Sequence, residues 1–136
     1  TDGHMDQLAR FIDRENVVAA VCDPDNADFD ENLNPLEDNF RQLHLWGDAT
    51  SPNVRIHRLP IPPPRYIDGR RVPESYCNFL RLGQDRLLVP TFAAKTDDQA
   101  LGLLRELSGA DVTAVDCQDL VWGLGALHCA SRDQPE

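Results

Sequence analysis

Apolar positions along this chain fall into short runs and two longer periodic stretches. The short runs are Leu8 to Ile12, Val17 to Cys22, Val54 to Leu59, Cys77 to Leu82, Leu87 to Val89 and Val112 to Val115, and each reads as a strand bounded by polar turns. The first periodic stretch predicts a helix from Pro35 to Trp46, with Leu36, Phe40 and Leu43 on one face. Asn34 is placed to cap it, Pro35 suits the first helical position, Glu37 gives a capping-box-like spacing, and Gly47 marks its end. The second predicts a helix from Asp97 to Ser108, with Thr96 and Gln99 at capping-box spacing, Ala100, Leu103, Leu104 and Leu107 as the stripe, and Gly109 as the stop.

The order is strand, strand, helix, strand, given twice, so the fold class is α/β with units at about 1–60 and 72–116. A third copy begins with Leu120-Val121-Trp122, which makes 117–136 a partial unit. A repeated supersecondary unit points to a ring or stack whose neighbours complete one another's core. Between the complete units, Pro60-Ile61-Pro62-Pro63-Pro64-Arg65 and Tyr66-Ile67-Asp68-Gly69-Arg70-Arg71 are too rich in proline and charge for a central strand. They predict a surface loop, either a stiff connector or a wall over a site.

Composition narrows the partners. The 136 residues, 41% of them apolar, suit one globular unit, and 13 Lys plus Arg against 23 Asp plus Glu give a net charge of −10. That balance disfavours nucleic acid and anionic membrane surfaces and suits a cationic ligand, although it also serves solubility. No apolar run approaches the roughly 20 residues that cross a bilayer, and no signal-peptide pattern is present, so the default expectation is a cytoplasmic protein. The chain opens on Thr1 rather than Met, so its native start is expected further upstream.

The four cysteines form no C-x-x-C pair, so neither a zinc knuckle nor a disulfide scaffold is indicated. Cys22, Cys77 and Cys117 lie in or beside strand-like runs and read as buried small hydrophobes, whereas Cys129 follows a glycine-punctuated stretch and a histidine. His4 and Asp6 stand just ahead of the first strand of the first unit, and His128 and Cys129 stand at the corresponding entrance to the third. Equivalent positions in a ring converge on its axis, so the two ends of the chain can meet. A thiol becomes a nucleophile as its thiolate, beside an imidazole or other positive charge, which makes His4 and Cys129 a candidate pair. His128 reads as a packing or loop-orienting residue, and His44 and His57 as surface residues. Asn78 either lines the site or is a buried amide satisfying backbone groups.

Three stretches resemble the agmatine deiminase and Porphyromonas-type peptidylarginine deiminase family. They are Thr1-Asp2-Gly3-His4-Met5-Asp6-Gln7-Leu8-Ala9-Arg10-Phe11, Val72-Pro73-Glu74-Ser75-Tyr76-Cys77-Asn78-Phe79 with Leu87-Leu88-Val89-Pro90-Thr91-Phe92, and Gly123-Leu124-Gly125-Ala126-Leu127-His128-Cys129. The resemblance implies a five-bladed α/β propeller, or pentein, built from strand-strand-helix-strand units around a central site. It implies Cys129 as nucleophile on a guanidinium carbon, His4 as general acid/base and Asp6 as the carboxylate gripping guanidinium nitrogens; Asn78, from the residues alone, is the candidate for a second substrate contact. No metal or organic cofactor is implied, and the expected partners are a small cationic guanidino compound and further copies of the same chain.

The sequence departs from the family at two places. Leu124 and Ala126 stand in a stretch where the family usually carries an asparagine and paired glycines, and the acidic residue of the family's N-terminal Trp-, Arg- and Asp-containing motif has no counterpart in this chain. Agmatine is the first-choice substrate. Peptidyl-arginine is the alternative within the same chemistry, and a catalytically incomplete structural or interaction module is the alternative outside it.

Overall fold

The computed structural model describes residues 3–23, 30–51 and 53–132. Thr1 and Asp2 of the first family-like motif and residues 133–136 of the partial third unit lie outside the described residues. The first unit runs through a short helix α1 (Met5–Leu8), strands β1 (Ala9–Phe11) and β2 (Asn16–Val21), helix α2 (Leu33–Thr50) and strand β3 (Arg55–Pro60). A small hairpin of β4 (Tyr66–Ile67) and β5 (Arg70–Arg71) follows. The second unit has a 3₁₀ turn at Tyr76–Asn78, then β6 (Leu80–Leu82), β7 (Arg86–Thr91), helix α3 (Asp97–Ser108) and β8 (Asp111–Asp116).

The two units share one topology in a mixed α/β fold. In the first, β2 is central, antiparallel to β1 with Ala9 opposite Ala19 and parallel to β3 with Val18 opposite His57. In the second, β7 is central, antiparallel to β6 with Leu80 opposite Leu88 and parallel to β8 with Val89 opposite Ala114. The uninterrupted Val17-Val18-Ala19-Ala20-Val21 run is buried throughout, which is the pattern of a central strand covered on both faces. Pro90 is tolerated in central β7 because β6 stops pairing at Leu88, leaving the missing N–H on a side with no strand beside it.

A single apolar cluster joins the units, from Val18, Ala20, Leu36 and Leu59 of the first to Phe79, Leu87, Val89, Leu104 and Val112 of the second. Helix α3 packs on β8 and also on β3, so it serves both cores. The Arg10 guanidinium donates to the Phe79 carbonyl at 3.1 Å and lies 4.6 Å above the Phe79 ring, tying the start of the first sheet to the turn that opens the second.

Several sequence expectations change in detail. The first strand begins at Ala9 rather than Leu8, because Met5–Leu8 closes a helical turn in which the Gln7 amide donates to the His4 carbonyl. Likewise Tyr76–Asn78 is a turn, held by the Cys77 amide donating to Ser75 Oγ at 3.2 Å, and β6 is correspondingly short. Helix α2 starts before Asn34, since Asp30 accepts the Asn32 amide at 2.8 Å and anchors the turn upstream; Pro35 still lies among the first residues, whose N–H groups have no helical partner. It continues through Gly47 to Thr50, whose hydroxyl donates to the Trp46 carbonyl at 2.7 Å. In α3, Thr96 is the cap residue but its hydroxyl is engaged with the Tyr76 hydroxyl at 2.8 Å instead of the helix. Gly109 ends α3 in the left-handed conformation, as expected, at φ 59°.

The run Leu120-Val121-Trp122 is a 3₁₀ turn rather than a strand, with Val121 buried and Leu120 and Trp122 exposed. In the proline-rich connector, Asp68 and Gly69 both have positive φ, and this dipeptide folds β4 onto β5. Arg71 of β5 reaches the nearly buried Asp30 at 2.7 Å, clasping the hairpin to the start of α2. Burial alone would raise the Asp30 carboxyl; the Arg71 guanidinium and the Asn32 amide outweigh it and hold it below the usual carboxylate range.

Candidate functional site

Three chain segments that are far apart in sequence meet where the units open. Asp6 comes from α1 ahead of β1, Asn78 from the turn ahead of β6, and His128 and Cys129 from the turn after residue 123. Asp6 and Asn78 hold corresponding positions of the two units, each in the turn ahead of the first strand. Asn78 is fully buried and holds them together: its Oδ1 accepts from the amides of Ala126, His128 and Cys129 at 3.2, 3.1 and 3.2 Å. Its Nδ2 donates to Cys129 Sγ at 3.0 Å and to Asp6 Oδ2 at 3.1 Å. Both polar ends of the Asn78 side chain are engaged with protein groups among the described residues.

Asp6 completes the cluster. Its Oδ2 lies 2.7 Å from His128 Nδ1 and accepts from Cys129 Sγ at 3.3 Å, while Oδ1 takes no hydrogen bond among the described residues. Its side chain is 18% exposed. Burial would raise the Asp6 carboxyl, but hydrogen bonds from His128 and Cys129, the His128 charge and the Asn78 amide together bring it below its ordinary value. A carboxylate therefore stands beside an exposed thiol, with one oxygen still open.

The other three cysteines are buried. Burial pushes the Cys77 thiol up to about 12, and burial together with Asp30 does the same to Cys22, so neither is poised to react. His4 lies at the start of α1, exposed, and its ring makes no hydrogen bond among the described residues. The imidazole that touches Asp6 is that of His128, the expected packing or loop-orienting residue. His57 is not simply at the surface either, since its Nε2 lies 2.8 Å from Asn16 Oδ1. Gln7, absent from the expected site, extends Nε2 to within 3.7 Å of Cys129 Sγ. Its position next to Asp6 was the only sequence signal. Among the described residues no group of three or more His, Cys, Asp or Glu side chains is arranged to hold a metal ion.

The loop bearing the thiol is tightly drawn. Leu124 sits at φ 66°, a left-handed conformation that glycine or asparagine adopts at less cost. A Cβ at Gly125 would lie 2.5 Å from Cys129 Cβ and 2.9 Å from its sulfur, closer than packed atoms allow. Gly125→Ala is therefore expected to force the loop outward and lower stability by about 1–3 kcal/mol, read from urea unfolding. Unchanged stability would mean that the loop yields freely.

With this geometry in place, the comparisons with known proteins agree on one family. The family description Porphyromonas-type peptidyl-arginine deiminase matches residues 1–135. The agmatine deiminase of Stutzerimonas stutzeri is 29% identical over 154 residues, covering 99% of this chain and 41% of that protein. That of Pseudomonas fluorescens strain SBW25 is 28% identical, with 99% and 41% covered. Among solved structures, C. jejuni agmatine deiminase superposes with a TM-score of 0.80 at 29% identity over 94% of this chain and 38% of that one. The chain belongs to the Porphyromonas-type peptidyl-arginine deiminase family. It spans well under half the length of each of these relatives. No helix among the described residues is long and apolar enough to cross a membrane.

Proposed function

We propose that this chain carries the nucleophilic half of a deiminase site that hydrolyses a guanidino substrate, with agmatine as the preferred substrate and N-carbamoylputrescine and ammonia as products. The observation that carries the reading is the 3.3 Å approach of Asp6 Oδ2 to Cys129 Sγ. A planar guanidinium offers paired N–H donors to a carboxylate, and the open Oδ1 of Asp6 can take one of them. A guanidinium seated there has its carbon beside the sulfur, and its positive charge offsets the repulsion between carboxylate and thiolate.

The thiolate of Cys129 then attacks the guanidinium carbon. The C–N bond to the terminal nitrogen breaks, and that nitrogen takes a proton from an imidazole and leaves as ammonia. Water then gives one proton back to the imidazole as it attacks the thiouronium carbon. The C–S bond breaks with its electron pair returning to Cys129, the remaining hydroxyl proton passes to solvent or the released ammonia, and the ureido product leaves. Positioning of thiolate and carbon lowers the barrier by several kcal/mol, and the proton transfer adds about 10²–10⁴-fold.

His4 is the imidazole we assign to this transfer. The 2.7 Å contact between His128 and Asp6 supports a second reading, in which His128 donates the proton. For the architecture we infer that the two units are successive blades of an α/β propeller. The shared core and the exposed Met5, Phe11 and Trp46 on the outer edge of the first unit support this, as apolar side chains suited to burial against a neighbouring blade.

Substrate choice follows from the connector. Free arginine needs a cation for its α-carboxylate, but Arg65 is bound to Glu74 at 2.6 Å and Arg71 to Asp30 and Glu31. Arg70 alone of the three has no carboxylate partner among the described residues. Agmatine, ending in an ammonium, makes no such demand. The test is kcat/KM of the full-length protein for agmatine, free arginine and a blocked arginine peptide, with agmatine expected to lead. A leading peptide would favour peptidyl-arginine deimination, and turnover of none would leave only a structural module. The same assay on His4→Ala and His128→Ala identifies the proton donor, the first being expected to lose turnover.

A further inference from the structure

We infer that Gln7 is a further catalytic residue of this site: its side-chain amide donates to the Cys129 sulfur and favours the thiolate against the neighbouring Asp6 carboxylate. The inference rests on Cys129 being the nucleophile of the proposed deimination.

Gln7 is 2% exposed, and its Oε1 is a buried oxygen with no hydrogen-bond partner among the described residues. The Nε2 of the same amide points at Cys129 Sγ, 3.7 Å away. The fold gains from the Gln7 backbone, whose carbonyl accepts from Ser75 Oγ at 2.7 Å and whose N–H donates to His4, but that gain is independent of the side chain. Burying an amide with its oxygen unpaired is unfavourable, and leucine or methionine would fill the space without that penalty. A polar group kept at a cost to stability, with the reacting sulfur as its hydrogen-bond partner, points to a role at the sulfur.

The sulfur also needs such a donor. Asp6 Oδ2 at 3.3 Å accepts the S–H of the thiol but repels the thiolate. The Asn78 Nδ2 donates at 3.0 Å, yet it also serves Asp6 Oδ2 at 3.1 Å and the Asp6 carbonyl at 3.5 Å, so only part of its donor capacity faces sulfur. Gln7 supplies the missing N–H. Its 3.7 Å separation suits a neutral thiol, which is a weak acceptor, and a charged sulfur would draw the amide closer.

The experiment compares Gln7→Leu and Gln7→Met with the unchanged full-length protein. The pH profile of iodoacetamide alkylation at Cys129 is followed by peptide mass, beside thermal unfolding and kcat/KM for agmatine. Both variants are expected to alkylate roughly tenfold more slowly at neutral pH, with the profile moved to higher pH, while Tm is equal or higher because the orphaned oxygen is gone. An unchanged alkylation profile overturns the inference, as does a slower reaction that simply tracks a lower Tm in both variants. Alkylation needs no substrate turnover, so failure of the deiminase reading, seen as undiminished turnover in Cys129→Ala, is told apart from failure of the Gln7 role.

Discussion

Cys129→Ala is expected to abolish ammonia release from agmatine in the full-length protein, with at least about a 10³-fold loss in kcat, while leaving the fold almost untouched. The two halves of that expectation have separate origins. Without sulfur no covalent intermediate forms, and neither Asp6 nor His128, which share the cluster, can take over as a comparable nucleophile. Stability should fall by no more than about 1–3 kcal/mol, because Cys129 is exposed and its backbone amide still donates to Asn78, while the buried Gln7 Nε2 loses its sulfur partner. Circular dichroism and a Tm near that of the parent would establish the fold. Substantial turnover in a folded variant would remove Cys129 from the mechanism.

The second large effect is expected at Asn78. In Asn78→Ala the amides of Ala126 and Cys129 lose their acceptor, and His128 keeps only the weaker 3.2 Å contact to the Asn78 carbonyl. Each buried donor left unpaired costs about 1–3 kcal/mol, so a total near 3–5 kcal/mol is expected, a large share of a typical domain's 5–15 kcal/mol. Urea unfolding measures it. Asn78→Asp separates support from chemistry, because its carboxylate still accepts the loop amides but sets a second negative charge beside Asp6 and the sulfur. It should recover much of the stability and little of the activity. An alanine variant as stable as the parent would show that the loop stands without the Asn78 side chain.

The parts of the fold legible in the sequence are those set by local periodicity and punctuation. The run from Val17 to Cys22, short and β-branched, reads as a strand, and α3 is bounded by Thr96 and Gly109 because a left-handed residue ends it. Cys129 is separable from the other cysteines because a glycine-punctuated stretch and a histidine precede it rather than a strand-like run, and it is the exposed one. What was not legible depends on where side chains point. No spacing reveals that His128 rather than His4 touches Asp6, since both follow from how the turn carrying residue 128 hangs on Asn78. The β4–β5 hairpin did carry a signal, the Asp68-Gly69 dipeptide, which the surrounding prolines masked. The turn at Leu120–Gly123 offered too few positions for strand and helical periods to be told apart.

The cluster brings together atoms whose residues are separated by 123 positions, with Asn78 between them, 72 positions from Asp6 and 51 from Cys129. Closing so long a loop has an entropic cost that grows with length, and contacts of this separation form after the local hairpins and helices that reward them sooner. The approach of thiol to carboxylate is therefore expected to be among the last contacts to form, so that in refolding experiments the alkylation behaviour native to Cys129 should appear after the secondary structure does.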